Sequence, residues 1–296
     1  MKNWIKAFRL RTLPLALSCI LAGHAAAAMK DNIDWSIFVW SIITTVFLQI
    51  LSNLANDFGD AEHGADHDLR EGPSRTVQAG LISKSAMAKA VLLFAILSLV
   101  AGTFLLSSAI ASINLNFLLF FLLGIASIAA AIKYTMGKNP YGYKAMGDIF
   151  VFVFFGLVGV LGSSWLQTQK LYYTDFYLAC AVGFFSVAVL NMNNMRDVES
   201  DQKAGKITIP ILLGGKDKWY HMLLILLGAL NVFLFLDAQQ NNWYFLGLLL
   251  LLPFISNVKK VLNYQSRQDL DPELKKIAIG TFINALFWLV SVSIGQ

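Results

Sequence analysis

The chain has 296 residues, 57% of them hydrophobic and only 14% charged, whereas a soluble globular domain carries roughly a quarter charged residues. That composition excludes an ordinary water-soluble fold. The formal net charge of +5 reflects how Lys and Arg are distributed around the apolar segments and gives no argument for nucleic acid.

Apolar runs recur along the sequence, each of about 20 residues and so able to cross a hydrocarbon core about 30 Å thick. They are apolar on all sides, which suits contact with lipid. The pattern predicts nine helices at 12–29, 36–55, 86–109, 112–132, 148–166, 174–195, 218–236, 242–258 and 276–293. The first run, from about Leu13, is not followed by a small-residue cleavage site and a soluble body, so it reads as a membrane helix and not a cleaved signal. Cys19 and Cys180 both lie in apolar stretches and read as packing residues. The expected fold is an all-α polytopic membrane bundle of about nine transmembrane helices in a lipid bilayer, with 1–296 forming a single domain.

Of the 23 Lys and Arg residues, only Lys30 and Lys170 fall on one side of this arrangement, and all others fall on the opposite side. Positive residues stay on the cytoplasmic side of bilayers. The N-terminus is therefore expected in the cytoplasm, and nine crossings put the C-terminus outside.

Acidic residues break the pattern. Asn53, Asn56, Asp57 and Asp60 sit at i, i+3, i+4 and i+7 and share one helix face at the end of the second helix. The sixth helix ends in the same way, with Asn193, Asp197 and Asp201 at i, i+4 and i+8 and Asn194 and Arg196 alongside. Each cluster is followed by a basic residue, Arg75 or Lys206. The motifs lie four helices apart, which suggests an internal four-helix duplication with a ninth helix added. A charge run at a helix end is ordinarily a solvated cap. Two Asn-plus-carboxylate faces at matching ends point instead to one shared site, because polar groups near membrane depth are costly and usually functional.

Paired carboxylates on fixed helical faces suit a hard divalent cation such as Mg²⁺, which takes one or two carboxylates plus substrate phosphates. Arg75, Arg196 and Lys206 beside the acids fit a ligand that carries phosphate. The surrounding helices are rich in Phe, Leu, Ile and Val, so a diphosphate head on a long apolar tail satisfies both environments. Polyprenyl diphosphate is such a ligand. His24, His63, His67 and His221 show no metal-ligand spacing, and none is assigned to the metal.

The segments "NDFGD" and "RDVESD" resemble the two Asp-rich motifs of the UbiA-type intramembrane aromatic prenyltransferases. Within that superfamily, "RLRTLPLALSCILAG", "LQILSNLANDFGDAEHGAD", "GPSRTVQAG", "YTMGKNPYGYKAMGDIFVFVFFG" and "VLNMNNMRDVESDQKAGKITI" are similar to the branch that prenylates 1,4-dihydroxy-2-naphthoate in menaquinone synthesis. The likeness covers most of the chain through the sixth helix and is weaker beyond. It implies metal binding by Asp57, Asp60, Asp197 and Asp201. Asn53, Asn56 and Asn194 would complete the shell, and Arg75, Arg196 and Lys206 would neutralise the leaving diphosphate. The superfamily's first motif often has a third acid four residues after the second. That position is Gly64 here, and the nearby Asp66 takes the role. The same likeness implies loss of the ring carboxylate as CO₂ and a place in the bacterial cytoplasmic (inner) membrane.

Lys133, Tyr134, Tyr141, Tyr143 and Asp148 lie around the "NPYGY" run between helices four and five. The run is either a lid over the acceptor or an interfacial aromatic belt with a capped helix start at Asp148. Arg11 either holds the acceptor carboxylate or anchors the first helix on the positive side. Tyr134 and Phe58 are candidate aromatic faces for an allylic cation. The alternatives are another aromatic acceptor, 4-hydroxybenzoate or homogentisate, and a transporter, which also combines intramembrane acids with repeats.

Overall fold

A computed structural model describes residues 1–63, 75–239 and 242–295. Among them are nine helices long and apolar enough to cross a membrane: α1 Lys2–Ala28, α2 Trp35–Glu62, α3 Lys84–Ala109, α4 Leu115–Lys133, α5 Gly147–Thr168, α6 Tyr173–Arg196, α7 Ile209–Ala238, α8 Phe245–Leu262 and α9 Arg267–Val292. The predicted number and order hold, and the chain is an integral membrane protein.

Polar residues just outside the apolar runs start several of these helices by accepting otherwise orphaned N–H groups. The Asp34 carboxylate takes the amides of Ser36 and Ile37 at 2.7 and 3.3 Å. Asn114 takes that of Phe117 at 3.0 Å and Ser83 that of Ala86 at 3.2 Å.

Three helices differ usefully from the sequence reading. The second was expected to stop at 55, but α2 continues to Glu62 and carries Asp57 and Asp60 as helical residues. The ninth was expected from 276, but its helix begins at Leu270, more than one and a half turns earlier. In both cases an apolar criterion ends the prediction where the hydrocarbon ends, although the backbone continues its ladder into the polar zone. The first span is broken: Lys2–Phe8 and Leu13–Ala28 are separate helices joined through Arg9, which has φ 48° and ψ 53°.

Burial shows what is central. In α6, 72% of the apolar window is buried, against 6% in α4, the least enclosed of the nine. A core from α1 and α5–α9 includes Phe185, Phe235, Phe254 and Trp288. A second core joins α2, α3 and α4 around Leu51, Leu54, Met87 and Val91. Between Val151 and Gly162, α5 widens into a π-helical stretch, Phe152–Leu161, a form often found beside functional sites.

The charged ends of α1, α2, α6 and α9 meet at one end of the bundle, together with the 134–146 and 197–208 connections. At the opposite end Lys30 pairs with the fully buried Asp175, which also accepts the Ser164 hydroxyl at 2.6 Å. Lys30, one of the two basic residues set apart by the sequence, is thus at the end away from the acidic motifs.

Candidate active site

A cavity of about 570 Å³ lies between the two cores and is walled by α1–α6 and α9. Its polar end carries Asn56, Asp60, Arg75, Asp197, Asp201 and Lys206. Its body is formed by apolar side chains such as Leu106, Phe120, Phe154, Val158 and Leu166. The two Asp-rich helix ends therefore open into one space, four spans apart in sequence.

Each half delivers its cation differently. The backbone amides of Thr76 and Val77 donate to Asp57 at 3.0 and 3.1 Å, and the Thr76 hydroxyl adds a third bond at 2.7 Å. Asp57 is buried and lies behind the cavity wall. The resemblance implied a metal ligand at this position; its oxygens here clamp the turn that carries Arg75. Arg75 reaches forward to pair with Asp60, whose other oxygen accepts the Tyr143 hydroxyl at 3.1 Å. In the second half, Arg196 grips both oxygens of Asp197 at 2.8 and 2.9 Å and also bonds Asp271 at 2.6 Å. Arg196 thus braces an acid from behind instead of facing the cavity, where the sequence reading had put it. Lys206 turns back five residues to Asp201 at 3.3 Å.

The connections hold these groups in place. Lys144 and Ile207 form a parallel bridge, with Ala145 N donating to Ile207 O at 2.8 Å and Ile207 N to Tyr143 O at 3.0 Å. The bridge sets Lys206 against the Tyr143 ring, 5.7 Å from its centroid. Gly59 lets the end of α2 press on the 134–146 connection, since a Cβ there would stand 2.6 Å from the Thr135 carbonyl. Thr135 Oγ1 then bonds Asn56 Oδ1 at 3.2 Å.

Burial pushes the Asp201 carboxyl up to about 6; Lys206 pulls it down, while Asp197 and Asp60 push it further up. An acid of the first motif is therefore felt by an acid of the second. For Lys206 burial opposes the charge, but Asp201, Tyr134 and Asp60 outweigh it and hold the ammonium above its usual range. Burial also raises the Tyr134 phenol to about 12.

The remaining expected residues divide. Tyr134 and Tyr141 line the cavity, in edge-to-face contact with each other, and Tyr141 stacks on Phe150 with centroids 3.9 Å apart. Arg11 lines the cavity mouth. Tyr143 acts through Asp60. Asp148 is buried away from the cavity, accepting the Tyr220 hydroxyl at 2.8 Å, so it ties the start of α5 to α7. Lys133 extends along its own helix end towards Gly137. Phe58 packs into the α2–α4 core and offers no face to the cavity. Asn53 lines the cavity and donates at 2.9 Å to both Phe8 O and Thr12 Oγ1, pinning the break in α1. Asn194 is buried beside the site, its Oδ1 without a hydrogen-bond partner. Asp66 lies outside the described residues. Sequence reasoning missed Arg9, Asp271 and Lys275, all of which line the cavity. The one signal for the last two was their i, i+4 spacing at the start of the final helix.

Among the described residues no three His, Cys, Asp or Glu side chains converge as a metal cage. The donors nonetheless fit a hard cation shared with a phosphate. Asp60, Asp197 and Asp201 are all oxygen donors facing one cavity, and buried Asp201 Oδ2 has no hydrogen-bond partner. Mg²⁺ characteristically takes one or two carboxylates and completes its shell with substrate phosphate and water.

A helical membrane bundle with acids and cations at one end of a deep apolar cavity is the architecture of intramembrane prenyl transfer. The structure superposes on a UbiA homolog from Archaeoglobus fulgidus bound to GPP and Mg²⁺ with a TM-score of 0.64, at 18% identity, over 96% of this chain and 98% of that one. The UbiA prenyltransferase family model matches residues 16–290, and the chain belongs to that family. It is similar to the 1,4-dihydroxy-2-naphthoate octaprenyltransferase of Haemophilus influenzae, 40% identical over 98% of this chain and 95% of the relative. The enzyme of the same name from Escherichia coli strain K12 is 36% identical over 99% and 96%.

Proposed function

We propose that the protein transfers a polyprenyl group from polyprenyl diphosphate to 1,4-dihydroxy-2-naphthoate, with loss of CO₂ and diphosphate, giving demethylmenaquinol. The observation that carries this reading is the single cavity in which carboxylates and cations head a long apolar body. The near full-length likeness to two dihydroxynaphthoate octaprenyltransferases supports the acceptor.

Asp60, Asp197 and Asp201 would hold Mg²⁺, as would Asp66 by its place in the motif. The A. fulgidus homolog bound to GPP and Mg²⁺ supports a divalent ion here. The ion would supply positive charge to the diphosphate oxygens as the allylic C–O bond breaks with its electron pair. Arg75 and Lys206, now on Asp60 and Asp201, would serve the same oxygens and strengthen as charge develops. Tyr143 orients Asp60 through its hydroxyl. Tyr134, Tyr141 and Phe150 present aromatic faces beside the head end, suited to an electron-poor allylic carbon. The apolar walls keep water from trapping that carbon. The ring carbon that bears the carboxylate forms the new C–C bond, and that carboxylate then leaves as CO₂ with its bonding pair returning to the ring.

The experiment is product mass spectrometry with dihydroxynaphthoate, polyprenyl diphosphate and Mg²⁺. Prenylated, decarboxylated product is expected from this acceptor. Preferential turnover of 4-hydroxybenzoate or homogentisate would overturn the assignment of acceptor.

We further infer that the acidic end faces the cytoplasm of a bacterial inner membrane, with the N-terminus inside and the C-terminus outside. All but two of the Lys and Arg residues favour that orientation. Single cysteines at Gly142, at Gly205 and at the C-terminus, in a background without Cys19 and Cys180, test it. In intact cells an impermeant thiol reagent should label only the C-terminal site; labelling at Gly142 or Gly205 would reverse the orientation.

A further inference from the structure

We propose that Arg9, Arg11 and Lys275 form a second anion subsite at the cavity mouth, and that it receives the carboxylate of the aromatic acceptor. This deepens the reading above and rests on it.

The break in α1 is the starting point. Arg9 adopts the left-handed region, φ 48° and ψ 53°, where its Cβ crowds the following carbonyl oxygen. Such a conformation persists only where the surroundings over-determine it. They do so here. Asn53 donates at 2.9 Å to Phe8 O and at 2.9 Å to Thr12 Oγ1, on either side of Arg9. Gln49, one turn earlier on α2, donates to Thr12 Oγ1 at 3.0 Å, and Thr12 Oγ1 donates in turn to Arg9 O at 3.0 Å. Two amides of α2 therefore hold a strained bend whose consequence is to bring Arg9 and Arg11 to the cavity wall. From the other side α9 contributes Lys275 to the same wall.

The subsite already meets a carboxylate of the chain itself. Asp271, one turn before Lys275, stands 3.9 Å from Arg11, with the two side chains 41% and 37% exposed. Its short bond is to buried Arg196, at 2.6 Å. The Arg11 contact is long and exposed, so a planar carboxylate arriving from solution can compete for the guanidinium with bidentate geometry.

The charge layout separates two anionic substrates. Arg75 and Lys206 are committed to the acids of the head end, where a diphosphate would exchange with them. Arg9, Arg11 and Lys275 come from the two terminal helices, and Arg11 meets the head-end bonds through Asp271, which also holds Arg196. A carboxylate held there would turn its aromatic ring inward, towards the Tyr134 and Tyr141 faces.

The test compares acid with neutral ligands. 1-Hydroxy-2-naphthoate should compete with the acceptor better than 1-naphthol in the unaltered enzyme. Arg11→Gln and Lys275→Gln should each erase most of that preference and raise KM for dihydroxynaphthoate about 10-fold, the loss expected for one charge-assisted contact. KM for polyprenyl diphosphate should stay within about 2-fold, and Arg11→Lys should recover much of the acceptor affinity. An equal rise in both KM values, or an intact preference for the acid in the Gln variants, would overturn the subsite. Absence of any dihydroxynaphthoate product from the unaltered enzyme would instead strike the proposed acceptor, while the naphthoate-to-naphthol ratio would still decide whether the subsite binds carboxylates.

Discussion

The two Asp-rich helix ends look alike in sequence and are built differently. At the end of α2 the leading acid, Asp57, spends its oxygens on neutral donors from a turn 19 and 20 residues ahead. That long-range closure is what carries Arg75 to Asp60. At the end of α6 the leading acid, Asp197, is gripped by its neighbour Arg196, and Lys206 returns to Asp201 from five residues on. Among the described residues the first half thus uses its leading acid as a scaffold and shows Asp60 to the cavity, whereas the second shows both Asp197 and Asp201. Equal motifs do not imply equal roles, because a carboxylate that already accepts three bonds from one turn has most of its acceptor sites filled before a ligand arrives.

The strongest test addresses what the halves share. Chelation with EDTA should abolish turnover and Mg²⁺ should restore it, since carboxylates without a cation repel a diphosphate; full activity in metal-free buffer would remove the basis for pairing the motifs. Next come the forward acids. Asp60→Asn and Asp201→Asn should each lower kcat by at least about 100-fold, with the double variant little worse than either single, as groups acting as one unit are non-additive. Strictly additive, modest losses measured in single-turnover assays would show two independent caps.

The comparison sharpens at the leading acids. Asp57→Ala leaves two amides and a hydroxyl of the 76–77 turn without their acceptor and should cost about 2–3 kcal/mol of stability, seen as a lower melting temperature in detergent. Asp197→Asn should instead raise the Mg²⁺ concentration needed for half-maximal rate while the melting temperature changes less. Matching behaviour of the two variants in both measurements would erase the distinction drawn between scaffold and ligand. The smallest effect is expected from Tyr143→Phe, which removes one hydroxyl from Asp60. A loss of about 1 kcal/mol, or roughly 5-fold in kcat/KM, is anticipated; an unchanged rate would mean that Arg75 alone orients the acid.

Much of the molecule was legible before folding was considered. Nine apolar runs, the asymmetry of Lys and Arg and the two Asn-plus-carboxylate faces follow from local composition, because hydrocarbon of fixed thickness demands about 20 apolar residues per crossing and admits few charges. Asp60, Arg75, Asp197, Asp201, Lys206, Tyr134 and Tyr141 all reach the cavity that this pattern led one to expect. Helix periodicity places a residue on a face but does not say what that face meets. Asp57, Arg196 and Asp148 carry polar groups in positions that suggested ligands, and each lies outside the cavity lining, bonded to a partner far along the chain or to a neighbouring acid. The residues gained in exchange, Arg9, Asp271 and Lys275, sit in segments with no motif, and they join the cavity only because a pinned bend and a helix begun early bring the two ends of the chain together. Membrane class, the number of crossings and the chemistry available at one end of the bundle are legible locally, since each depends on short stretches meeting a uniform solvent. Which carboxylates face a substrate and which hold the frame was decided only by the tertiary structure, because a buried polar group takes whichever partner the packing of distant helices puts within hydrogen-bonding reach.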